Sequence, residues 1–275
     1  MPFLAKRSSD ETALEQNNRK TALQAAAEGI VLLENDGVLP LAPQIRRIAL
    51  FGSGARKTVK GGTGSGDVNE RSCVNVETGL ERAGYEIVTK DWLDAYDRVW
   101  EQDRIDWKEE LARIAEERNI SFTFAYLQTL HLLPAKGIEE GELADADVAV
   151  YVIARRSGEG CDRVAESGDY YLAEEEKAGL LCLRARYEKV IVVLNAGGPV
   201  DTAWMNEHVK PSALLVLSQA GMEGGTALAG ILSGRYTPSG RLSDTWAMKY
   251  EDYPEALNFS VYGGNPDEVY YREGI

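Results

Sequence analysis

The sequence predicts an α/β domain, a three-layer αβα sandwich with a mostly parallel sheet of about six strands and helices on both faces. Three observations lead to this prediction. Short apolar runs of strand length alternate along the chain with helical patterns. The runs at 148–153 and 190–194 are apolar throughout, as central strands of a parallel sheet are. Glycine-rich turns follow several of these runs.

The first part of the chain supplies the N-terminal helix and the first two strands. Ser8 and Glu11 have the spacing of a capping box, which marks a helix start. Small and apolar residues then recur at helical intervals, and Asn35-Asp36-Gly37 ends the pattern. The predicted elements are a helix at 8–34, a strand at 47–51, a helix at 74–83 and a strand at 85–89.

Residues 92–142 fit the alternation poorly. The stretch 92–119 is charged and rich in tryptophan at roughly helical spacing, whereas 120–133 is apolar and is compatible with either helix or strand. We interpret 92–142 as an insertion that covers one end of the sheet.

The second half of the chain returns to the regular alternation. Its predicted elements are strands at 148–153, 190–194 and 213–217, helices at 173–187, 202–207 and 223–232, and a last short strand introduced by 239–243. The domain organisation that follows has three parts: the N-terminal helix and leading segment at 1–45, the α/β sandwich at 46–250, and an irregular tail at 251–275.

Composition excludes several classes of partner. The chain has 275 residues and a net charge of −14. Nucleic acids and anionic membranes attract basic surfaces, so neither is expected as a partner. The three cysteines show no CxxC spacing and only two histidines are present, so no metal site and no cofactor are expected.

The expected compartment is the cytoplasm. An odd, sparse number of cysteines fits a reducing environment. No apolar run approaches the ~20 residues that span a membrane. Residues 1–18 are polar and charged, unlike a secretory signal, if Met1 is the natural start.

Two glycine-rich loops are candidate binding elements. Gly52-Ser53-Gly54 opens like a dinucleotide-binding loop, but Lys57 stands where the third glycine belongs, so the match is partial. The run at 61–67 has more glycines than a simple turn requires. It is either a flexible surface loop or a place where backbone amides and the Ser65 hydroxyl approach a polar ligand.

A single carboxylate, Glu159, stands between two glycines just after the strand at 148–153. Ligands of open α/β sheets bind at the carboxyl ends of the strands, and flanking glycines allow a tight turn that projects a side chain. Taken alone, this pattern is more typical of a solvated loop glutamate beside a basic pair.

The loop from Ser157 to Arg163 resembles the acid/base loop of family 3 glycoside hydrolases, the β-glucosidase family. The run at 60–67 is similar to the loop that follows the first strand of their second domain. Further ordered similarities run along most of the chain, at 26–35, 39–41, 221–225, 238–242 and 270–275.

The resemblance implies a function and site residues. Glu159 would be the acid/base of a retaining, exo-acting β-glycosidase, most simply a β-glucosidase. Ser65 and Gly64 would contact the sugar. The substrate would be a β-linked glycoside or oligosaccharide. The partner would be a (β/α)8 barrel domain of the same protein, which carries the aspartate nucleophile in this family.

The sequence departs from the family pattern in lacking that barrel. A barrel needs ~250 residues, and the α/β domain already occupies this chain. We therefore expect a domain of a longer protein, with the barrel downstream because Met1 directly precedes the α/β domain. Alone, such a domain would hydrolyse nothing.

Charged residues close to Glu159 in the sequence could affect its protonation. Arg155, Arg156 and Arg163 are expected to point away from Glu159 and to pair with acids such as Asp162 or Glu166, since a facing cation would favour the ionised form of the acid. The run Glu174-Glu175-Glu176 fits the acidic first turn of a helix.

His131 is expected to be a packed histidine rather than a base. Asn195, at a strand end, is a weaker candidate for orienting the acid loop, since asparagine commonly serves turns.

Two alternatives remain open from the sequence. One is a non-catalytic doubly wound module that binds a sugar or another partner, with Glu159 as an ordinary loop residue. The other is a nucleotide-binding protein that uses the glycines of 52–67.

Overall fold

A computed structural model of the chain describes residues 9–66, 68–157 and 163–253. In these ranges six strands form one sheet. They are β1 (Val31–Asn35), β2 (Arg47–Phe51), β3 (Glu86–Ile87), β4 (Val148–Ala154), β5 (Val190–Asn195) and β6 (Ala213–Val216). The α-helices of the same ranges are α1 (Ala13–Gly29), α2 (Val76–Arg82), α3 (Lys90–Glu117), α4 (Phe122–Gln128), α5 (Glu174–Arg186), α6 (Ala203–His208) and α7 (Gly224–Leu232).

The order of strands in the sheet is β1-β6-β5-β4-β2-β3. Only β1 runs antiparallel to its neighbour, β6. The chain moves one way from β2 to β3 and the opposite way from β4 through β5 to β6, so right-handed crossovers place α2 on one face and α5 and α6 on the other. Helices α1 and α7 pack on the side of α2. The predicted sandwich with a mostly parallel sheet is confirmed.

The centre of the sheet is the core of the domain. Every residue of β4 and β5 is buried. Both strands consist almost wholly of valine, isoleucine, leucine and alanine, which is what burial on both faces requires. Each large aliphatic side chain buried there contributes about 1.5–3 kcal/mol, so these strands form a rigid base for the loops at their ends.

The N-terminal helix is shorter than the sequence suggested. It begins after Thr12, whose hydroxyl accepts from the Glu15 amide while the Glu15 carboxylate accepts from the Thr12 amide. The helix ends at Gly29, and Val31–Asn35 forms the edge strand β1. Predicting helix through residue 34 was wrong because these apolar residues pair with β6, a partner far along the chain.

The predicted last strand near 239–243 is not present among the described residues. The chain instead passes close to the end of α1, where the Gly240 amide donates to the Ile30 carbonyl at 3.1 Å. A side chain at Gly240 would lie 2.5 Å from the Gly29 carbonyl oxygen. The close approach of two backbones replaces a strand here.

Helices α3 and α4 together form what we call the helical arm. Trp92 and Tyr96, at the start of α3, stack on each other at 5.6 Å and belong to the main core. Further along, Leu111, Ile114 and Ala125 make a small separate cluster between α3 and α4. Within the described ranges no helix is both long and apolar enough to cross a bilayer.

Candidate active site

The sheet has a topological switch point at β2 and β4. These strands are parallel neighbours, and the chain leaves them in opposite directions. Loops that diverge in this way open a crevice at the carboxyl ends of the strands, which is where α/β sheets bind ligands. Both sequence-predicted site loops, the glycine-rich run at 61–67 and the loop with Glu159, follow these two strands.

The turn Gly52-Ser53-Gly54 is explained by packing. Gly52 has φ +95°, and a side chain there would lie 2.3 Å from the Val152 carbonyl oxygen. The Gly54 amide donates to the same carbonyl at 3.0 Å, and the Ser53 hydroxyl accepts from the Ala154 amide. These glycines let the turn lie against β4, so their presence gives no support to a phosphate-binding loop.

Asn195 connects three loops at this edge of the sheet. It ends β5 and is fully buried. Its side-chain oxygen accepts from the Val59 amide at 2.6 Å, and its NH₂ group donates to the carbonyls of Val59 and Ser218 at 2.9 and 2.6 Å. Asn195 thereby fixes the segment that leads into the glycine-rich loop.

Arg155 anchors the start of the loop that carries Glu159. It follows β4, is 3% exposed, and pairs with both carboxylate oxygens of Glu176 at 2.8 and 2.6 Å. Its Nε also donates to the Asp169 carbonyl at 2.6 Å. Burial lowers the pKa of Arg155, but the Glu176 carboxylate more than offsets this effect.

Arg163 and Asp169 anchor the other end of the same loop. Asp169 is 1% exposed; one carboxylate oxygen lies 2.5 Å from Arg163 Nε and the other accepts from the Val164 amide at 2.7 Å. A second nitrogen of Arg163 donates to the Pro199 carbonyl. These contacts make Arg163 a residue that holds the loop in place.

The predicted partners of the arginines need correction. Glu176 and Asp169, rather than Glu166, neutralise Arg155 and Arg163. Asp162 lies outside the described residues. Arg156 has no ion pair among the described residues and lines the cleft outlined below.

Glu159 itself also lies outside the described residues, whose nearest members are Ser157 and Arg163. Ser157 is firmly placed: its carbonyl accepts from the Thr63 amide at 2.9 Å and its hydroxyl from the Gln219 side chain at 3.2 Å. The start of the segment that carries Glu159 is thus hydrogen-bonded to the glycine-rich loop. This contact brings together the two segments that sequence reasoning singled out.

Gly64 lies in a short 3₁₀ turn, Gly64–Gly66, with φ +78°. The turn directly follows Thr63, so the backbone of Gly64 and Ser65 begins next to the residue that bonds Ser157. Nothing in the structure tests their predicted contact with a sugar, which stays a prediction.

A cleft of about 700 Å³ opens next to these loops. One wall, the loop wall, comprises residues 56–63 and Arg156, and Glu70, Cys73 and Asn75 also line the cleft. The other, the arm wall, consists of the helical arm and His131. The size is that of a small-molecule site.

His131 is packed, as predicted. Its ring stacks on Trp107 at 4.4 Å. Its Nε2 lies 2.9 Å from an Asp103 carboxylate oxygen, although the angles do not make a hydrogen bond. Burial lowers the pKa of His131, and the Asp103 carboxylate opposes this only in part.

Sequence reasoning missed the role of Glu176. The acidic first turn predicted for residues 174–176 is present, but Glu176 is also buried and bonds Arg155. The sequence contained a signal. Glu176 falls on the same helical stripe as Leu180 and Leu183, both fully buried, and a carboxylate on an apolar stripe requires a buried partner.

Among the described residues no group of three or more histidine, cysteine or acidic side chains could hold a metal ion.

Comparison with known proteins gives one consistent result. The model of the glycosyl hydrolase family 3 C-terminal domain matches residues 30–275. Beta-glucosidase A of Butyrivibrio fibrisolvens is 34% identical, over 97% of this chain and 32% of that protein. A beta-glucosidase of Ruminococcus albus is 32% identical, over 92% of this chain and 25% of that protein.

The fold is also that of a solved enzyme. The structure of beta-glucosidase 3B from Thermotoga neapolitana in complex with glycerol matches with a TM-score of 0.72 and 32% identity, over 91% of this chain and 34% of that one. The chain therefore spans a quarter to a third of the length of these relatives.

Proposed function

The chain belongs to glycosyl hydrolase family 3 and corresponds to the C-terminal domain of that family; from this premise we propose that it supplies the acid/base residue, Glu159, of a retaining exo-acting β-glycosidase. The substrate class we propose is the β-glucosides, because the relatives named above are beta-glucosidases. The nucleophile would come from a (β/α)8 barrel domain of the same protein.

One contact carries the proposal. The carbonyl of Ser157 accepts from the Thr63 amide at the switch point of the sheet. Glu159 is two residues further on, so the chain can present it at the mouth of the crevice where a ligand would bind. Ser65 and the Gly64 backbone follow Thr63 just as closely and are the proposed sugar contacts.

The chemistry needs two carboxyl groups about 5–5.5 Å apart across the scissile bond. The barrel aspartate would attack the anomeric carbon while Glu159 gives its proton to the departing glycosidic oxygen. Glu159 would then take a proton from the water that releases the sugar. The α/β domain provides only one of these carboxyl groups, so we expect no hydrolysis by this domain alone.

A general acid must hold its proton near neutral pH, and nearby cations oppose that. Two of the three neighbouring arginines are occupied, since Arg155 pairs with Glu176 and Arg163 with Asp169. Their charges are largely neutralised where they stand, which supports an acid role for Glu159. The negative charge of the nucleophile would raise the pKa of Glu159 further.

The test compares leaving groups. The complete coding sequence that contains this chain is expressed and assayed on cellobiose and on 2,4-dinitrophenyl β-glucoside, with wild type, Glu159→Ala and the exposed control Glu166→Ala. The activity of Glu159→Ala on cellobiose should fall about 10²–10⁴-fold, because the departing glucose needs a proton. A dinitrophenolate leaves without a proton, so the first step with the aryl glucoside should slow clearly less.

Added azide should restore turnover of the aryl glucoside by Glu159→Ala, with β-glucosyl azide as the product. Full activity of Glu159→Ala on cellobiose would exclude the acid role. Saccharide binding without any hydrolysis by wild type would favour the non-catalytic module instead.

A further inference from the structure

The arm wall of the cleft presents aromatic rings to solvent. Trp107, Phe122 and Tyr126 line the cleft. Phe122 and Tyr126 are 48% and 40% exposed, unusually open for large apolar rings that border a cavity. Such rings offer flat apolar faces to the C–H face of a pyranose.

Not every ring of the cleft is free in this way. Trp100 has the Lys57 ammonium at 4.4 Å and the Arg104 guanidinium at 4.8 Å from its ring centre. These cation–π contacts occupy its faces. Trp107, in contrast, is oriented by its stack on His131, which leaves the α4 rings as the open part of the wall.

The cleft also carries hydrogen-bond donors. Arg56, Lys57 and Arg104 line it but are committed to acidic partners. Lys108 and Arg156 also line it, and among the described residues neither has an ion-pair partner. Aromatic faces beside a few polar donors form the usual chemistry of a small-molecule site, and hydroxyl groups can accept from both cations.

Position decides which part of a substrate this cleft would hold. Its loop wall includes Gly61 to Thr63, and Thr63 bonds Ser157 at the start of the acid loop. A general acid contacts the glycosidic oxygen, whereas the nucleophile contacts the anomeric carbon on the other side. The sugar beyond the glycosidic oxygen must therefore lie on the side of the domain that carries the acid.

We propose that the cleft between residues 56–63 and the helical arm binds the leaving-group portion of a β-linked oligosaccharide. Phe122, Tyr126 and Trp107 are the stacking platform, and Lys108 and Arg156 are the donors. The inference rests on the proposed function for the direction in which the substrate lies. It assigns the insertion at 92–142 a role in selecting oligosaccharides over simple glucosides.

Helix α4 offers a matched control. Phe122 and Tyr126 are four residues apart and share one face. Phe124 lies between them, points to another side, is 49% exposed and does not line the cleft. Replacing Phe124 by alanine removes about as much exposed aromatic surface as either single substitution in the platform, from the same helix and without touching the platform itself.

The first test measures binding to the 275-residue chain. Saturation-transfer NMR with cellotriose compares wild type, the double variant Phe122→Ala/Tyr126→Ala and Phe124→Ala, with folding checked by circular dichroism. We expect wild type and Phe124→Ala to bind alike and the double variant to bind about fivefold or more weakly. No cellotriose binding by wild type at tens of millimolar, or equal binding by all three proteins, would overturn the proposal.

The second test separates this inference from the proposed function. In the complete enzyme the double variant should raise KM for cellotriose by a similar factor and leave kcat/KM for methyl β-glucoside unchanged. If Glu159→Ala retained full activity, the acid assignment would fail while the NMR result stood. If the double variant affected both substrates equally, the acid assignment would stand and the leaving-group cleft would fail.

Discussion

The loop wall of the cleft is held by buried polar groups, whereas the arm wall is held by a small apolar cluster and by exposed ion pairs. Asn195 and the Arg155–Glu176 pair fix the loop wall from inside the domain. The outer part of the arm relies on Leu111, Ile114 and Ala125 and on surface pairs within α3 such as those of Arg113.

This difference is consistent with the roles proposed for the two walls. Buried hydrogen-bonded charges tolerate few geometries, so they fix a backbone closely. Surface ion pairs within one helix contribute only about 0.3–0.5 kcal/mol each and leave the arm room to adjust. Under the proposed function, the loop that carries a proton donor needs the first kind of support, and a platform for varied sugars can work with the second.

The largest expected effect comes from breaking the support of the loop wall. Glu176→Ala leaves Arg155 charged, buried and unpaired, which should cost about 3–5 kcal/mol of the free energy of unfolding. The control is Glu174→Ala on the same helical turn, whose carboxylate is largely exposed and, within the described ranges, pairs with Lys177 alone. It should cost below about 0.5 kcal/mol.

Urea unfolding of the chain followed by circular dichroism measures both variants. Equal losses for Glu176→Ala and Glu174→Ala would mean that the buried pair does not support the wall.

An intermediate effect is expected on the arm wall. Leu111→Ala removes most of a fully buried side chain from the small cluster and should cost about 2–3 kcal/mol. Because this cluster is separate from the main core, the arm should open before the sheet unfolds. Leu181→Ala, at an exposed position of α5, is the control.

Hydrogen exchange of the α3 and α4 amides, compared with those of β4 and β5, tests this expectation. Faster exchange confined to the arm would confirm that the two walls are energetically separate. Uniformly faster exchange across the sheet would show that they unfold together.

The smallest effect is a pH dependence of the arm. The pKa of His131 is lowered by burial, with Asp103 raising it and Arg156 lowering it. The unfolded chain therefore binds a proton at higher pH than the folded chain does. The stability contributed by neutral His131 is complete above the ordinary pKa near 6.5 and is lost as pH falls from there through the lowered value.

Thermal unfolding at pH 8 and pH 6 checks this prediction. Wild type should lose stability between these values, and His131→Gln should lose less. His208→Gln, which removes the other histidine of the chain, controls for the loss of an imidazole as such. An identical pH dependence in wild type and His131→Gln would contradict the assignment.

Prediction from sequence succeeded where local composition is sufficient. The run at 148–153 is apolar because both faces of β4 are covered, and such a strand can be recognised without knowing its neighbours. The stretch Val31–Asn35 is apolar only in its first three residues and is an edge strand. It was assigned to a helix because it continues a helical pattern and its partner, β6, is distant in the sequence.

The site shows the same division. Glycines next to strand ends marked both candidate loops, and the structure places Ser157, at the start of the second, against Thr63 of the first at one edge of the sheet. The predicted partners of Arg155 and Arg163 were wrong, because a buried ion pair depends on which side chains the fold brings within 3 Å. The cleft was not predicted either, since its two walls come from separate segments of the chain that only the fold brings together.

The sequence by itself determined the α/β architecture, the family and the order in which the segment with Glu159 follows β4, because each depends on short runs of residues. The tertiary structure alone decided that β1 is an edge strand of the sheet, that Glu176 and Asp169 pair with Arg155 and Arg163, and that the helical arm faces the glycine-rich loop. The physical reason is that strand burial and turn geometry are local requirements, whereas ion pairs, edge pairing and clefts are contacts between distant segments that only packing selects.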